Sequence, residues 1–299
     1  MKKQNNTAVI FLAVFGILIL ILDSKAAIEG ASQGIELCLR TVLPSLFPFF
    51  YLSGIINKHL TGTSAKLLRP LGKICGTPDG SEPLLLIGWL GGYPVGAQIV
   101  SDAYKNGNIT KTDAERMLGF CSQPGPAFIF AVIGNIFQNM QAALALWIII
   151  ILSAFATAFL LPGKSKNQCK IILHNHSDPF MTAVKSIAFV CGWVILFRII
   201  IVMLMRWLLW MMPGTLTVTL TGILELTNGC VSLPLISNQV LRMVIGSFML
   251  SFGGLCVGFQ TKSVAYPLCC RNYFKGKIMQ AFIASVMTYF YMIFFHPVL

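Results

Sequence analysis

Acidic residues are scarce in this chain. Ten Asp and Glu stand against 22 Lys and Arg in 299 residues, and charged residues of both signs make up only 11%. A soluble domain carries about 25%, so this shortage excludes water as the main solvent. Strict polar–apolar alternation is missing at the length of a barrel strand, which excludes an outer-membrane β-barrel. The nine cysteines include no C-x-x-C pair and fall mostly in apolar stretches (Cys38, Cys121, Cys191, Cys230, Cys256). They read as small hydrophobes rather than a disulfide framework or a metal site. A P-loop and an H-E-x-x-H motif are also absent, leaving ATP-driven pumping and zinc proteolysis without support.

What the chain does have is apolar sequence. Hydrophobic residues reach 56%, mean hydropathy is +0.77, and several runs are long enough for a hydrocarbon core of about 30 Å. These features predict an all-α polytopic membrane protein. The net charge of +12 lies in short basic clusters beside the apolar runs, the pattern of membrane topology rather than nucleic-acid binding. The N-terminal run Ala8–Leu22 follows Lys2 and Lys3 and reads either as a retained first span or as a cleaved signal peptide, with retention favoured by the membrane segments after it. Further spans are expected near 35–57, 82–104, 121–137, 140–162, 181–210, 215–236, 240–266 and 278–297. The polar stretch from Gly163 to Pro179 is the natural midpoint linker. The predicted organisation is an N-terminal anchor (1–34), a first repeat (35–162), a linker (163–180) and a second repeat (181–299).

Positive-inside counting places the basic 58–73 loop in the cytoplasm. A single crossing by 82–104 would then leave the basic 163–179 loop outside, whereas a segment that enters and turns back puts it inside. The break needed for such a turn is present as Gly91, Gly92, Tyr93, Pro94 and Gly96. The same signature recurs: GGYPVGAQIVSDAY (91–104) and GGLCVGFQTKSVAY (253–266) share eight of fourteen positions. Duplicated, Gly/Pro-interrupted hydrophobic segments are the sequence mark of a transporter binding site. A broken helix frees backbone N–H and C=O groups, tolerated at membrane depth only where protein or a water-filled cavity satisfies them. Two re-entrant hairpins are therefore expected, with tips at Gly91–Gly96 and at Gly253, Gly254 and Gly258. Gln98, Ser101, Gln260 and Ser263 would hydrogen-bond a small-molecule solute, and Asp102, replaced by Val264 in the second copy, reads as an interface or helix-end residue.

The stretch from Gly91 through CSQPGPAFIFAVIG resembles the nucleoside-recognition (gate) domain family, and within it the YlbJ-type group of sporulation integral membrane proteins. Ser122, Gln123, Gly125 and Pro126 carry the second element of the match, with Gln-Pro where the group has an Asn-Ser type pair. ILELTNGCVSL and SFGGLCVGFQ resemble further family elements, so the likeness covers about 91–134 and 222–262. It implies an architecture similar to concentrative nucleoside transporters, with two halves each holding a re-entrant hairpin; whether the halves are inverted is left open. It also implies a bacterial cell-membrane protein of endospore formation, at the outer forespore membrane, with dipicolinate export as the activity. Gln123 joins the candidate solute ligands, and Gly125 and Pro126 the candidate tips.

Charges inside apolar runs are costly and point to function. Arg198 lies centrally in CGWVILFRIIIVMLM, where its fork would neutralise an anionic solute or pair with Glu225. Glu225, beside Thr227, Asn228 and Gly229, marks a third broken element in the sequence; its carboxylate either binds Na⁺, carries a coupling proton or pairs with Arg198, and Asn228 is a further solute candidate. Arg206 reads as an interfacial anchor. The GASQG pentad (30–34) matches a nucleophile elbow but follows a membrane span and lacks triad partners, and His174, His176 and Asp178 sit in the polar linker. No enzymatic activity, metal or cofactor is expected. The reading is a transporter of a small polar, anionic solute, with a homo-oligomer left open; the alternative is a non-transporting scaffold of the sporulation envelope.

Overall fold

The computed structural model describes residues 6–59, 65–165, 167 and 178–295. The His174/His176 pair and most of the linker lie outside them. No strand occurs among the described residues. Among the described residues, five helices are long and apolar enough to cross a bilayer: Ser24–Leu52, Met140–Leu160, Pro179–Trp207, Gln239–Val264 and Arg271–Phe295. The integral membrane class read from composition therefore holds.

Helix α1 (Asn6–Leu22) ends at Asp23, whose carboxylate caps α2 (Ser24–Leu37) through Ala26 N–H. A π-turn at Cys38–Val42 joins α2 to α3 (Leu43–His59). The second span thus begins at Ser24 rather than near residue 35. Then follow α4 (Ala65–Cys75), α5 (Glu82–Gly91), α6 (Val95–Lys105) and α7 (Lys111–Met117). The cap of α7 is Thr110, which accepts from Asp113 N–H while donating to the Asp113 carboxylate. After an extended Cys121–Gly125 stretch come α8 (Pro126–Phe128), a π-turn (Ile129–Ile133), α9 (Gly134–Phe137) and α10 (Met140–Leu160). The second half runs α11 (Pro179–Trp207), α12 (Gly214–Leu224), α13 (Leu226–Ser232), α14 (Gln239–Phe252), α15 (Gly254–Val264) and α16 (Arg271–Phe295).

Helices α2 and α11 pack antiparallel at close range. A methyl group added at Gly30 would meet the Ile199 backbone at 2.7 Å, and one at Gly34 the Ile195 Cα at 2.9 Å. Further along, the Cys38 thiol reaches Cys191 O. Gly30 and Gly34 of the GASQG pentad are thus the small-xxx-small contact of a helix pair, and Ser32 is exposed. Arg206 pairs with Asp23 at 3.4 Å, and Trp207 Nε1 donates to the same carboxylate. The residue read as an interfacial anchor thus ties the C-terminal end of α11 to the start of α2.

Two helix pairs fold back on themselves. The legs of the first, α5 and α6, have 10 and 11 residues and lie against each other, each about half the length needed to cross. Gly92 at φ +81° makes the turn, with no Cβ to strain it. The legs meet at Gly88 and Gly96, where the carbonyl of Cys121 fills the space of both missing side chains. The second pair is α12/α13, turned by the extended Glu225 and closed by Gly222 against Gly229.

Gly253 and Gly254 behave differently from the hairpin tip their sequence predicts. Both take positive φ, +82° and +80°, yet α14 and α15 do not lie against each other; α14 packs mainly on α16, and α15 on α12, α11 and α6. The second copy of the glycine signature is a bend within the Gln239–Val264 element, and Glu225 rather than Gly253 turns the second helix pair. The order hairpin, interrupted helix, long helix nevertheless occurs twice: α5/α6, α7–α9, α10, and α12/α13, α14–α15, α16.

Candidate functional site

Both hairpin turns, the first interruption and the helix that follows the second converge on one small cavity of about 40 Å³. Tyr93 reaches it from the first turn, and Glu225, Leu226 and Thr227 from the second. Pro124 and Gly125 come from the first interruption, and Val257 and Gln260 from the helix after the Gly253 bend. Val42 and Leu46 of the α2–α3 element and Val190 and Val194 of α11 close the other side. The lining is mainly apolar, with a carboxylate, a hydroxyl, a phenol and a carboxamide converging on it, the composition of a small-molecule site.

Three chemically distinct groups build this centre. Glu225 caps α13: Oε1 accepts from Thr227 N–H at 2.9 Å, while Oε2 accepts from Asn228 N–H at 2.7 Å and from Asn228 Nδ2 at 2.6 Å. The Asn228 Oδ1 then accepts from Arg198 Nη1 at 2.7 Å, and the rest of the Arg198 fork holds Gln33 Oε1 at 3.1 and 2.6 Å. Arg198 and Glu225 are thus joined through Asn228, with no direct ion pair between them, and Arg198 does not line the cavity.

Behind the first turn lies a lysine near the start of α16. Lys277 is 0% exposed. Its Nζ donates to Tyr93 Oη and Gln280 Oε1, both at 3.0 Å, to Gln123 Oε1 at 3.3 Å, and to the Ser122 carbonyl. These four oxygens exceed the three N–H bonds an ammonium offers. Gln123 and Gln280 also bond each other reciprocally at 2.6 and 3.2 Å, and Gln280 reaches Ile150 O of α10. Tyr93 Oη lies 3.2 Å from Leu250 O of α14. One phenol therefore links the cavity wall, the lysine and the helix before the Gly253 bend.

Of the residues expected to touch solute, Gln260 lines the cavity, as do the tip residues Tyr93 and Gly125. Gln260 is buried, and its carboxamide nitrogen meets only the Cys256 sulfur, at 3.4 Å. Gln123 serves the lysine network and Asn228 the Arg198 relay. Gln98 and Ser101 do not line the cavity, and Ser263 is exposed and bonded to Phe259 O. The glutamine–serine symmetry of the two signatures thus does not carry over to the site. Sequence reasoning missed Lys277 and Gln280, and placed Thr227 beside Glu225 in a broken element without giving it a role at the site. The available signal lay in α16, where Gly276, Lys277, Gln280, Ala281, Ala284 and Thr288 form a buried small-and-polar face at helical spacing, opposite exposed Phe282, Tyr289 and Phe290.

Among known proteins, the sporulation integral membrane protein YlbJ of Bacillus subtilis (strain 168) is 23% identical to this chain over 338 aligned positions, covering 96% of this chain and 83% of the relative. No family model matches the chain, and no solved structure does.

Proposed function

We propose that this YlbJ-like integral membrane protein moves a small polar solute across the membrane by alternating access, the two hairpins shifting against a scaffold of α2, α3 and α11. The observation that carries this reading is the convergence of both hairpin turns, the first helix interruption and the helix after the Gly253 bend on one cavity. Broken backbone at membrane depth is tolerated where it lines a cavity, and paired discontinuous helices at a shared centre are how transporters hold solute. The cavity has room for about one water molecule, so the hairpins must separate to admit a solute.

The two hairpin–interrupted helix–long helix units exchange partners in a way that supports a two-fold relation between them, which an inverted pair would require: α10 contacts α14 while α16 contacts α7, and α6 contacts α15 while α13 contacts the Ile129–Ile133 turn. Helix pairs too short to cross support re-entry into the membrane. The family resemblance suggests an anionic solute, dipicolinate, and a place in the outer forespore membrane. Glu225 at the second turn is the group suited to a coupling Na⁺ or H⁺.

The test is solute flux in vesicles carrying Gln260→Ala or Thr227→Val, alongside dipicolinate content in spores of a strain expressing each variant. Both variants keep the fold and lose flux, because they remove polar groups only from the cavity lining. Normal flux in a Gln260→Ala/Thr227→Val double variant refutes the assignment of the site and favours the scaffold reading.

A further inference from the structure

A second opening lies on the outer face of the molecule, beside the central cavity. It is a groove of about 380 Å³ between the α2–α3 element, the α8–α9 segment and α13, lined by Arg40, Thr41, Ser45, Ala131, Asn135 and Val231 among others. Both π-turns of the chain's described residues border it: Arg40 and Thr41 belong to the first, Ala131 and Val132 to the second. Such turns recur at functional sites. Only one layer of side chains separates groove from cavity. Thr41 and Ser45 face the groove while their neighbours Val42 and Leu46 line the cavity; Val132 faces the groove while Phe128, one turn earlier, lines the cavity.

The depth of Arg40 decides what fills this groove. In the antiparallel α2–α11 pair, Gly30 meets Ile199, Gly34 meets Ile195, and Cys38 meets Cys191. Arg40 is therefore level with Phe189, four residues from the middle of the 29-residue α11, or about 6 Å from mid-depth at 1.5 Å per residue. Yet its side chain is 79% exposed, and that of Glu36, its partner at 3.1 Å, is 59% exposed. An ion pair facing hydrocarbon at that depth is strongly disfavoured, and membrane proteins place such groups toward a water-filled cavity or another protein surface. Arg40 engages Glu36 through Nε, leaving its terminal nitrogens to the groove, where Thr41, Ser45 and Asn135 add further polar groups.

We propose that this groove is a water-filled vestibule that receives a small carboxylate- or phosphate-bearing solute at Arg40 and passes it through the Val42/Phe128 layer to the central cavity. A guanidinium suits such anions because its fork pairs with two oxygens at once. Glu36 holds Nε of Arg40, and the terminal nitrogens are left to pair with the anion. The delivery step rests on the transporter reading; the water and the anion preference do not.

Thiol accessibility in the full-length protein tests the vestibule without reference to transport. Asn135→Cys and Val231→Cys are treated with membrane-impermeant methanethiosulfonates, one anionic and one cationic, in cells and in inverted vesicles. Labelling of the parent protein is subtracted. Phe282→Cys, exposed near the middle of α16, is the lipid-facing control. Asn135→Cys reacts on at least one side while Phe282→Cys does not. Adding Arg40→Gln slows the anionic reagent roughly 5-fold, the size expected from removing one nearby charge in a partly aqueous site, and leaves the cationic reagent no slower. Adding Arg40→Lys instead preserves the anionic rate. Three results overturn the proposal: unreactive Asn135→Cys and Val231→Cys, an anionic rate indifferent to Arg40→Gln, or oxidative cross-linking of Arg40→Cys between two copies, which would make the groove a subunit contact. Positive labelling with normal flux in the cavity double variant would keep the vestibule and reject only the central site.

Discussion

Replacing Lys277 by methionine separates what the lysine does for folding from what it does for function. Methionine has nearly the same length and no charge. Its introduction leaves the Ser122 carbonyl without the lysine as donor, at about 1–3 kcal/mol. The other three acceptors keep bonds: the Tyr93 hydroxyl still reaches Leu250 O, and Gln123 and Gln280 still hold each other. Against that loss, the variant removes a cation that is fully buried and has no carboxylate within ion-pair distance among the described residues. The desolvation cost of such a group is several kcal/mol, only partly returned by its hydrogen bonds. The two effects nearly cancel, so thermal unfolding in detergent should place Lys277→Met within about 1–2 kcal/mol of the parent, or above it. Gln280→Leu should cost on the order of 3 kcal/mol, since it strips bonds from Lys277, Gln123 and Ile150 O while the charge stays buried. Solute flux should fall in both variants. A loss above about 3 kcal/mol in Lys277→Met with no change in Gln280→Leu would refute the reasoning and make the lysine a structural pin.

Two more perturbations probe the packing that shapes the site. Gly229→Ala should destabilise by roughly 1–3 kcal/mol or more, because the added methyl would press on the Gly222 backbone and open the α12/α13 pair; Gly192→Ala, with nothing within 4 Å of its added methyl, should be neutral or stabilise α11 by about 0.5–1 kcal/mol, and equal melting shifts for the two would contradict the packing. Arg116→Lys should lower stability by about 2–4 kcal/mol, measured by the same melt, because the buried guanidinium donates to five carbonyls (Cys75, Gly76, Ala158, Leu161 and Pro162) at the C-terminal ends of α4 and α10, and an ammonium has only three donors.

The long apolar spans were legible in the sequence because hydrophobic length alone specifies a crossing helix. The first hairpin was legible too, since Gly92 and the close Gly88–Gly96 contact leave their mark as glycines. The second was legible only as a broken element at Glu225, Thr227, Asn228 and Gly229, and not as a hairpin, because its turn is made by an acidic residue rather than a glycine. Glu225 caps α13 with its own side chain, and that cap depends on a backbone geometry no spacing rule announces. The Gly-Gly signature at 253 misled for a related reason: two positive-φ glycines suit a sharp bend as well as a fold-back. Which one forms depends on the surfaces around them, here α16 on one side of the bend and α11 on the other.

The same asymmetry shapes the chemistry of the centre. At the first turn Tyr93 is backed by the buried cation Lys277, whose donors are all directed at protein oxygens. At the second turn the carboxylate of Glu225 is held by three N–H groups and tied through Asn228 to Arg198, whose fork is also engaged. Neither cation is free to contact solute in this closed arrangement, and the groups facing the cavity are Tyr93, Thr227, Gln260 and Glu225. An anion entering that space would meet a carboxylate unless a proton or Na⁺ accompanied it. On the transporter reading proposed above, an anion would pass this site only with a co-bound cation at Glu225, and Glu225→Gln should relax that requirement: anion flux in vesicles would lose its dependence on Na⁺ or on the proton gradient. Flux that stays equally cation-dependent in Glu225→Gln would place the coupling site elsewhere, with Lys277 the next group to test.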